Sequence, residues 1–295
     1  MEAINDLLSM TDAPTHHNSN ARVSALFRKA QRGQPMVPVS DEGLFLRAGH
    51  GIDRDANQHP MSPRQVLVVR QEDLGEFHLD AGDLRENLVI EGLPSDDFAP
   101  GSALRFSSGA RIRLTFHCEP CKRIAHLGPS LRQLLLRRGI LGVVLNDGNV
   151  LPGDTVTCEA QAFEPLATAP TGRFISFVSK VPAGQVVTYK DVVAGMGVAD
   201  SYFRAIPGYL QRAPATCPVH RVVDSEGFLV PYIAGQHEKL EAEGVEFAPL
   251  ASKGDSLRLP LGDAEPEDAY VAVAQQLDRV DLKRFQWCDA NVYLR

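Results

Sequence analysis

The hydrophobic pattern of this chain is broken once, and that break limits what it can fold into. Between about residues 37 and 165, apolar residues come in short runs, among them Gln65-Val66-Leu67-Val68-Val69, Asn87-Leu88-Val89-Ile90, Ile112 to Phe116 and Gly142-Val143-Val144-Leu145. Gly, Pro, Asp and Asn separate them, as turns separate strands, and Pro152-Gly153-Asp154 reads as a turn into a strand at Thr155-Val156-Thr157. Pro165, Ala167, Ala169 and Pro170 then make Ala160 to Thr171 a small-residue linker. With 295 residues there is length for two cores, one on each side of it.

Three helices are predicted from apolar spacing. Ala21 to Arg32 reads as an amphipathic helix behind Asn18-Ser19-Asn20 as caps. Pro129 to Arg138 carries Leu131, Leu134, Leu135 and Leu136 and stops at Gly139. Pro266 to Leu282 places Tyr270, Val273, Ala274, Leu277 and Val280 at helical spacing. The first fifteen residues read as flexible, His16 and His17 as surface residues, and the terminal Phe285, Trp287 and Tyr293 as docking on their own protein. The resulting division is an N-terminal extension 1–36, a β-rich domain 37–165, a second domain 166–260 and a C-terminal extension 261–295.

Cys118-Glu119-Pro120-Cys121 has the spacing of a metal or redox pair. A structural zinc needs four ligands, and Cys158, Cys217 and Cys288 come singly. A redox pair stays open, and so does a thiolate at Cys121 favoured by His117, Lys122 or Arg123. Five cysteines without a framework fit a reducing compartment. No run of eighteen apolar residues and no leader pattern is present, so a cytoplasmic protein without a membrane partner is expected. The net charge of −7 argues against a general nucleic-acid coat.

Pro218-Val219-His220-Arg221-Val222-Val223 resembles the active-site signature of the O6-alkylguanine-DNA alkyltransferases, with valine at the place of the acceptor cysteine. The flanks agree: Val181-Pro182-Ala183-Gly184-Gln185-Val186-Val187-Thr188-Tyr189, Ser201-Tyr202-Phe203-Arg204-Ala205-Ile206, Ala234-Gly235-Gln236 and Leu240-Glu241-Ala242-Glu243-Gly244-Val245. A valine has neither lone pair nor acidic proton and cannot be a nucleophile. Over roughly 167–260 the resemblance is therefore to the alkyltransferase-like proteins, and implies a mainly helical, winged-helix-like module that binds modified bases in DNA. It implies that Arg204 fills the gap left by an extruded base, that Tyr189 turns a phosphate outward, and that Tyr232 lies over the base pocket. With Val219 present, His220, Arg221 and Glu243 are left mainly structural roles. Phe203 stands where the family favours a small residue, and Pro207 is expected to kink a helix. Residues 171–255 hold eight Lys/Arg and nine Asp/Glu, net −1, so a basic face would have to be local: Lys180, Lys190, Arg204, Arg212 and Arg221.

The first half resembles the MOSC family, named for the C-terminal domain of molybdenum cofactor sulfurase. Gly51-Ile52-Asp53-Arg54-Asp55, Arg64-Gln65-Val66-Leu67, Gly82-Asp83-Leu84-Arg85-Glu86-Asn87-Leu88, Glu119-Pro120-Cys121, Arg138-Gly139-Ile140-Leu141-Gly142 and Pro152-Gly153-Asp154 carry the resemblance. It implies a β-barrel with helices around it, hence an α+β chain of two domains. It also implies that Cys121 carries persulfide sulfur or ligates the molybdenum of a pterin cofactor, with Glu86 and Asn87 at the pocket. Some relatives reduce N-hydroxylated bases. Taken together, the resemblances imply recognition of an O6-alkylguanine-like base coupled to chemistry on it, with repair or sulfur-donor proteins as partners. A pure lesion sensor, and a MOSC enzyme that no longer binds DNA, are the alternatives.

Overall fold

A computed structural model describes residues 16–17, 21–248 and 278–294. The chain forms two compact units, Met1–Leu166 with Tyr293–Arg295, and Ala167–Val292.

The first unit is mainly strand: β1 His16–His17, β2 Arg22–Arg28, β3 Val37–Val39, β4 Leu44–Arg47, β5 Gly51–Ile52, β6 Val66–Arg70, β7 Leu88–Glu91, β8 Ala103–Phe106, β9 Arg111–His117, β10 Ile140–Asn146, β11 Gly148–Val150 and β12 Val156–Glu159. One short helix, α1 (Gln71–Glu76), follows β6. Nine strands pair in the order β1-β12-β8-β9-β10-β6-β7-β2-β3, and β11-β4-β5 form a smaller sheet. The β6–β7 pair is parallel, with Val68 opposite Leu88. Among the described residues no pair joins β1 to β3, so the large sheet keeps two edges.

The apolar runs follow from burial on both faces of this sheet. Val66 and Val68 of β6 enter one core with Leu26, Leu88, Ile90, Ile112, Leu114 and Ile140. The alternating Leu67 and Val69 enter a second core with Leu74, Leu84, Val89, Phe116, Ile124, Leu134 and Leu141. Side chains alternate across a strand, so a strand covered on both sides reads as one continuous apolar run. Leu84, Ile124 and Leu134 belong to the loops that carry Glu86, Cys121 and Arg138, and their burial fixes those loops against the second core.

Two expected helices are absent. Residues 22–28, inside the span read as a helix from Ala21 to Arg32, form β2. A register shift between Val23 and Ala25 adds a residue to the strand, so the buried Val23 and Leu26 fall three apart, as they would on a helix. Residues 131–137 are successive turns. Leu134 is buried, whereas Leu135 and Leu136 are exposed, and Leu136 adopts φ 61°, a left-handed conformation that ends any helix there. The caps Asn18–Asn20 and the flexible first fifteen residues lie outside the described residues, as does the helix expected from Pro266 up to residue 277.

The second unit is mainly helical: α2 Pro170–Val178, β13 Val187–Thr188, α3 Tyr189–Met196, a 3₁₀ segment Asp200–Ala205, α4 Ile206–Arg212, β14 Val222–Val223, α5 Gln236–Ala242, β15 Phe247–Ala248, β16 Arg279–Val280 and α6 Leu282–Phe285. β13 and β14 are parallel and β15 and β16 antiparallel. Residues 279–280 thus form a strand within the span read as a helix. The Thr188 hydroxyl accepts from the Asp191 N–H while the Asp191 carboxylate accepts from the Thr188 N–H, a capping box that starts α3. Trp287 is buried and lies 5.8 Å from the Phe177 ring. Pro207 does not kink a helix. It falls in the first turn of α4, where an N–H would have no helical acceptor. Among the described residues no helix is long and apolar enough to cross a membrane.

Candidate functional sites

In the first unit, the loop after β9 brings Cys121 to the protein surface at intermediate exposure, at the N-terminal edge of a 3₁₀ turn, Lys122–Ile124. The cation in contact with it is not a sequence neighbour. Arg138, 6% exposed, donates through Nη1 to the Glu119 carbonyl and to Cys121 Sγ at 3.6 Å, and through Nη2 to the Leu84 carbonyl at 3.4 Å. Its Nε is buried without a partner. His117 is a poor cation here, since burial lowers its pKa. Cys118 is fully enclosed and burial pushes its thiol up, so of the two cysteines Cys121 is the accessible one.

More positive charge converges on this thiol. Arg85 feels Arg123, Arg138 and Cys121, and its pKa is lowered, first by burial and then by the two guanidiniums. Lys29, 7% exposed, is lowered by burial and then by Arg85; Asp55 opposes this, and Arg123 and Arg138 lower it further. Among the described residues none of these four cations is ion-paired to a carboxylate. Lys29 lies outside every motif, and nothing in the linear sequence marks it.

Glu86 and Asn87 enter β7 together but differ in state. Asn87 is fully used: its Nδ2 donates to the Phe27 carbonyl at 3.2 Å and to Asp55 Oδ2 at 3.0 Å, and its Oδ1 accepts from the Leu67 N–H at 3.1 Å. It ties β2, β6 and Asp55 to one point. Glu86 is wholly buried; Oε1 accepts from the Gly82 N–H at 2.6 Å, and Oε2 has no partner. Burial raises its pKa against the opposing pull of two backbone N–H groups. Among the described residues no cluster of three or more His, Cys, Asp or Glu could hold a metal ion.

In the second unit, Val219 occupies a 3₁₀ turn, Val219–Arg221, whose polar side chains turn toward α5. His220 Nε2 lies 2.8 Å from Glu243 Oε1; Arg221 donates to the same carboxylate through Nε and Nη2, and the Gly184 N–H adds a bond at 3.1 Å. Burial by itself would raise Glu243, but these donors outweigh it and bring the carboxyl to about 2. Gln236, 3% exposed, donates to the His220 and Val222 carbonyls and accepts from the Val230 N–H. Cys217 is buried, and burial raises its thiol.

Tyr189 opens α3, and its hydroxyl lies 2.7 Å from that of Tyr232. Burial, then this bond, pushes the Tyr189 phenol up, so the pair is uncharged at neutral pH. The Tyr189 ring meets Phe203 edge-on at 5.6 Å. Arg204 is exposed on the 3₁₀ segment that leads into α4, not within the helix itself.

Residues 55–157 match the family model described as MOSC domain, and residues 170–245 match 6-O-methylguanine DNA methyltransferase, DNA binding domain. Among solved structures, the YUAD protein from Bacillus subtilis is 20% identical over 50% of this chain and 99% of that one, with a TM-score of 0.42. Atl1 from S. pombe, in complex with damaged DNA containing O6-carboxymethylguanine, is 20% identical over 40% of this chain and 94% of that one, with a TM-score of 0.29. YiiM from Geobacillus stearothermophilus is 13% identical over 76% and 98%, with a TM-score of 0.35. No curated protein matches the chain.

Proposed function

Because the chain joins a MOSC domain to an alkyltransferase-like DNA-binding domain, we propose that its second unit recognises an O6-alkylguanine-like base in DNA without removing the alkyl group. In this reading the first unit carries sulfur or molybdenum-cofactor chemistry on a modified base or a related compound. The observation that carries the first half is Val219: the His220–Glu243–Arg221 network is assembled around a residue that cannot accept an alkyl group. Tyr189, Arg204 and Tyr232 are the residues assigned to the DNA and the base.

The surroundings of Cys121 suit an anionic, phosphate-bearing group such as a pterin cofactor. Arg85, Arg123 and Arg138 form no salt bridge among the described residues, Asp55 offsets the Lys29 charge only in part, and buried charge is stable only when it is compensated. Cys121 would ligate the metal or carry sulfur, and the four cations would hold the anion. Glu86, whose free oxygen is kept from water, would hold or donate a proton. A molybdenum centre bound there supplies two-electron chemistry, reduction of an N-hydroxylated base included. The setting is the cytoplasm, which five free thiols favour.

The test is binding of purified protein to a short duplex with one O6-methylguanine against the unmodified duplex, at near-physiological salt. A lesion preference that disappears in Arg204→Ala and Tyr189→Ala is expected. No preference in folded protein would remove the DNA half and leave free-substrate chemistry at Cys121. Molybdenum or persulfide in purified wild type, absent from Cys121→Ser, is the matching result for the first unit.

A further inference from the structure

The segment Asp200–Ala205 buries none of its side chains, yet it contains a phenylalanine. Phe203 is 41% exposed and Tyr232 is 39% exposed; among the described residues of the second unit these are the two exposed large hydrophobic side chains. They are not scattered. Phe203 packs edge-on against Tyr189, and Tyr232 shares a hydroxyl–hydroxyl hydrogen bond with the same Tyr189. Three rings are thus joined through one residue. The exposed Arg204 and Lys190 follow Phe203 and Tyr189 directly in the chain.

We propose that Phe203 contacts the nucleic acid base directly, completing with Tyr189 and Tyr232 an aromatic platform on which an unstacked nucleobase lies. This rests on the reading that the second unit binds DNA. Every base has a π face, and stacking on a protein aromatic adds affinity for each base on top of whatever the phosphate contacts supply. Such a platform answers the charge balance of this unit. With acidic residues slightly outnumbering basic ones between 171 and 255, phosphate attraction is weak and affinity must come from elsewhere.

The proposal is tested by fluorescence anisotropy with a labelled duplex carrying one O6-methylguanine, using wild type, Phe203→Leu and Phe203→Trp. Leucine keeps apolar bulk and removes the ring; tryptophan keeps a ring. Phe203→Leu is expected to weaken binding about tenfold, the scale of one lost stacking contact, while Phe203→Trp binds like wild type. Unchanged binding by Phe203→Leu, or an equal loss in both variants, overturns the role of the ring and leaves the DNA reading standing. Failure of wild type itself to bind overturns that reading, and this proposal with it. Unfolding followed at Trp287 in wild type and Phe203→Leu, expected to coincide, shows that any loss is not one of folding.

Discussion

Glu243 is the residue whose environment has the clearest measurable consequence. Its carboxyl is held at about 2 in the folded protein by Arg221, His220 and the Gly184 N–H, against an ordinary value near 4.5. A depressed carboxylate contributes stability that is complete above its unfolded pKa and is lost as pH falls through the folded one, here between about pH 4.5 and 2. By linkage that contribution is about 3 kcal/mol. Trp287 is the only tryptophan and is buried in the second unit, so its fluorescence reports unfolding there. Wild type should lose stability across that window, and Glu243→Gln should be less stable at pH 7 with a flatter curve below 4.5. Parallel curves would mean that the network contributes nothing to folding. At this scale the second site was legible because its residues sit in fixed order along the chain. In the first unit the thiol was legible, but its cations were not. Arg138 reaches Cys121 from seventeen residues away, and Lys29, at another strand's end, feels Arg138, Arg85 and Arg123. Electrostatic convergence of that kind depends on the sheet order and leaves no local spacing to read.

At the scale of elements, the crossing of α2 and α3 is set by Gly195. A Cβ at that position would lie 2.1 Å from the Phe177 ring, far inside contact distance. Gly195→Ala should gain up to about 1 kcal/mol in helix propensity. Overpacking a filled core costs about 1–3 kcal/mol and should win. A net loss is expected in the Trp287 unfolding transition, with a changed emission in the folded state, since Phe177 also contacts Trp287. A stabilised Gly195→Ala would show that the two helices can move apart freely. The strands of the first unit were legible because β6, β7, β9 and β10 are covered on both faces. β2 was not, because its bulge spaces Val23 and Leu26 as a helix would. The leucines of 131–136 misled for a related reason: apolar spacing records which residues are buried, and a left-handed Leu136 breaks the helix that the spacing suggests.

At the scale of the whole molecule, the division at Leu166 and Ala167 falls inside the small-residue stretch Ala160 to Thr171, where a change of composition was visible. Why one chain carries both domains is the remaining question, and covalent linkage is itself a physical answer. Tethering turns a second encounter into an intramolecular one at an effective concentration reaching about millimolar for short flexible linkers. If the second unit captures a lesion that the first then processes, a protease site introduced near Pro170 provides the test. Cleavage should lower turnover of lesion-bearing DNA, because the Cys121 site then depends on free diffusion. It should leave turnover of a free base analogue unchanged, because that substrate reaches Cys121 without capture. Cys121→Ser should abolish both reactions in intact and cut protein alike. Equal turnover of lesion-bearing DNA before and after cleavage would mean that the two domains share a chain without sharing a substrate.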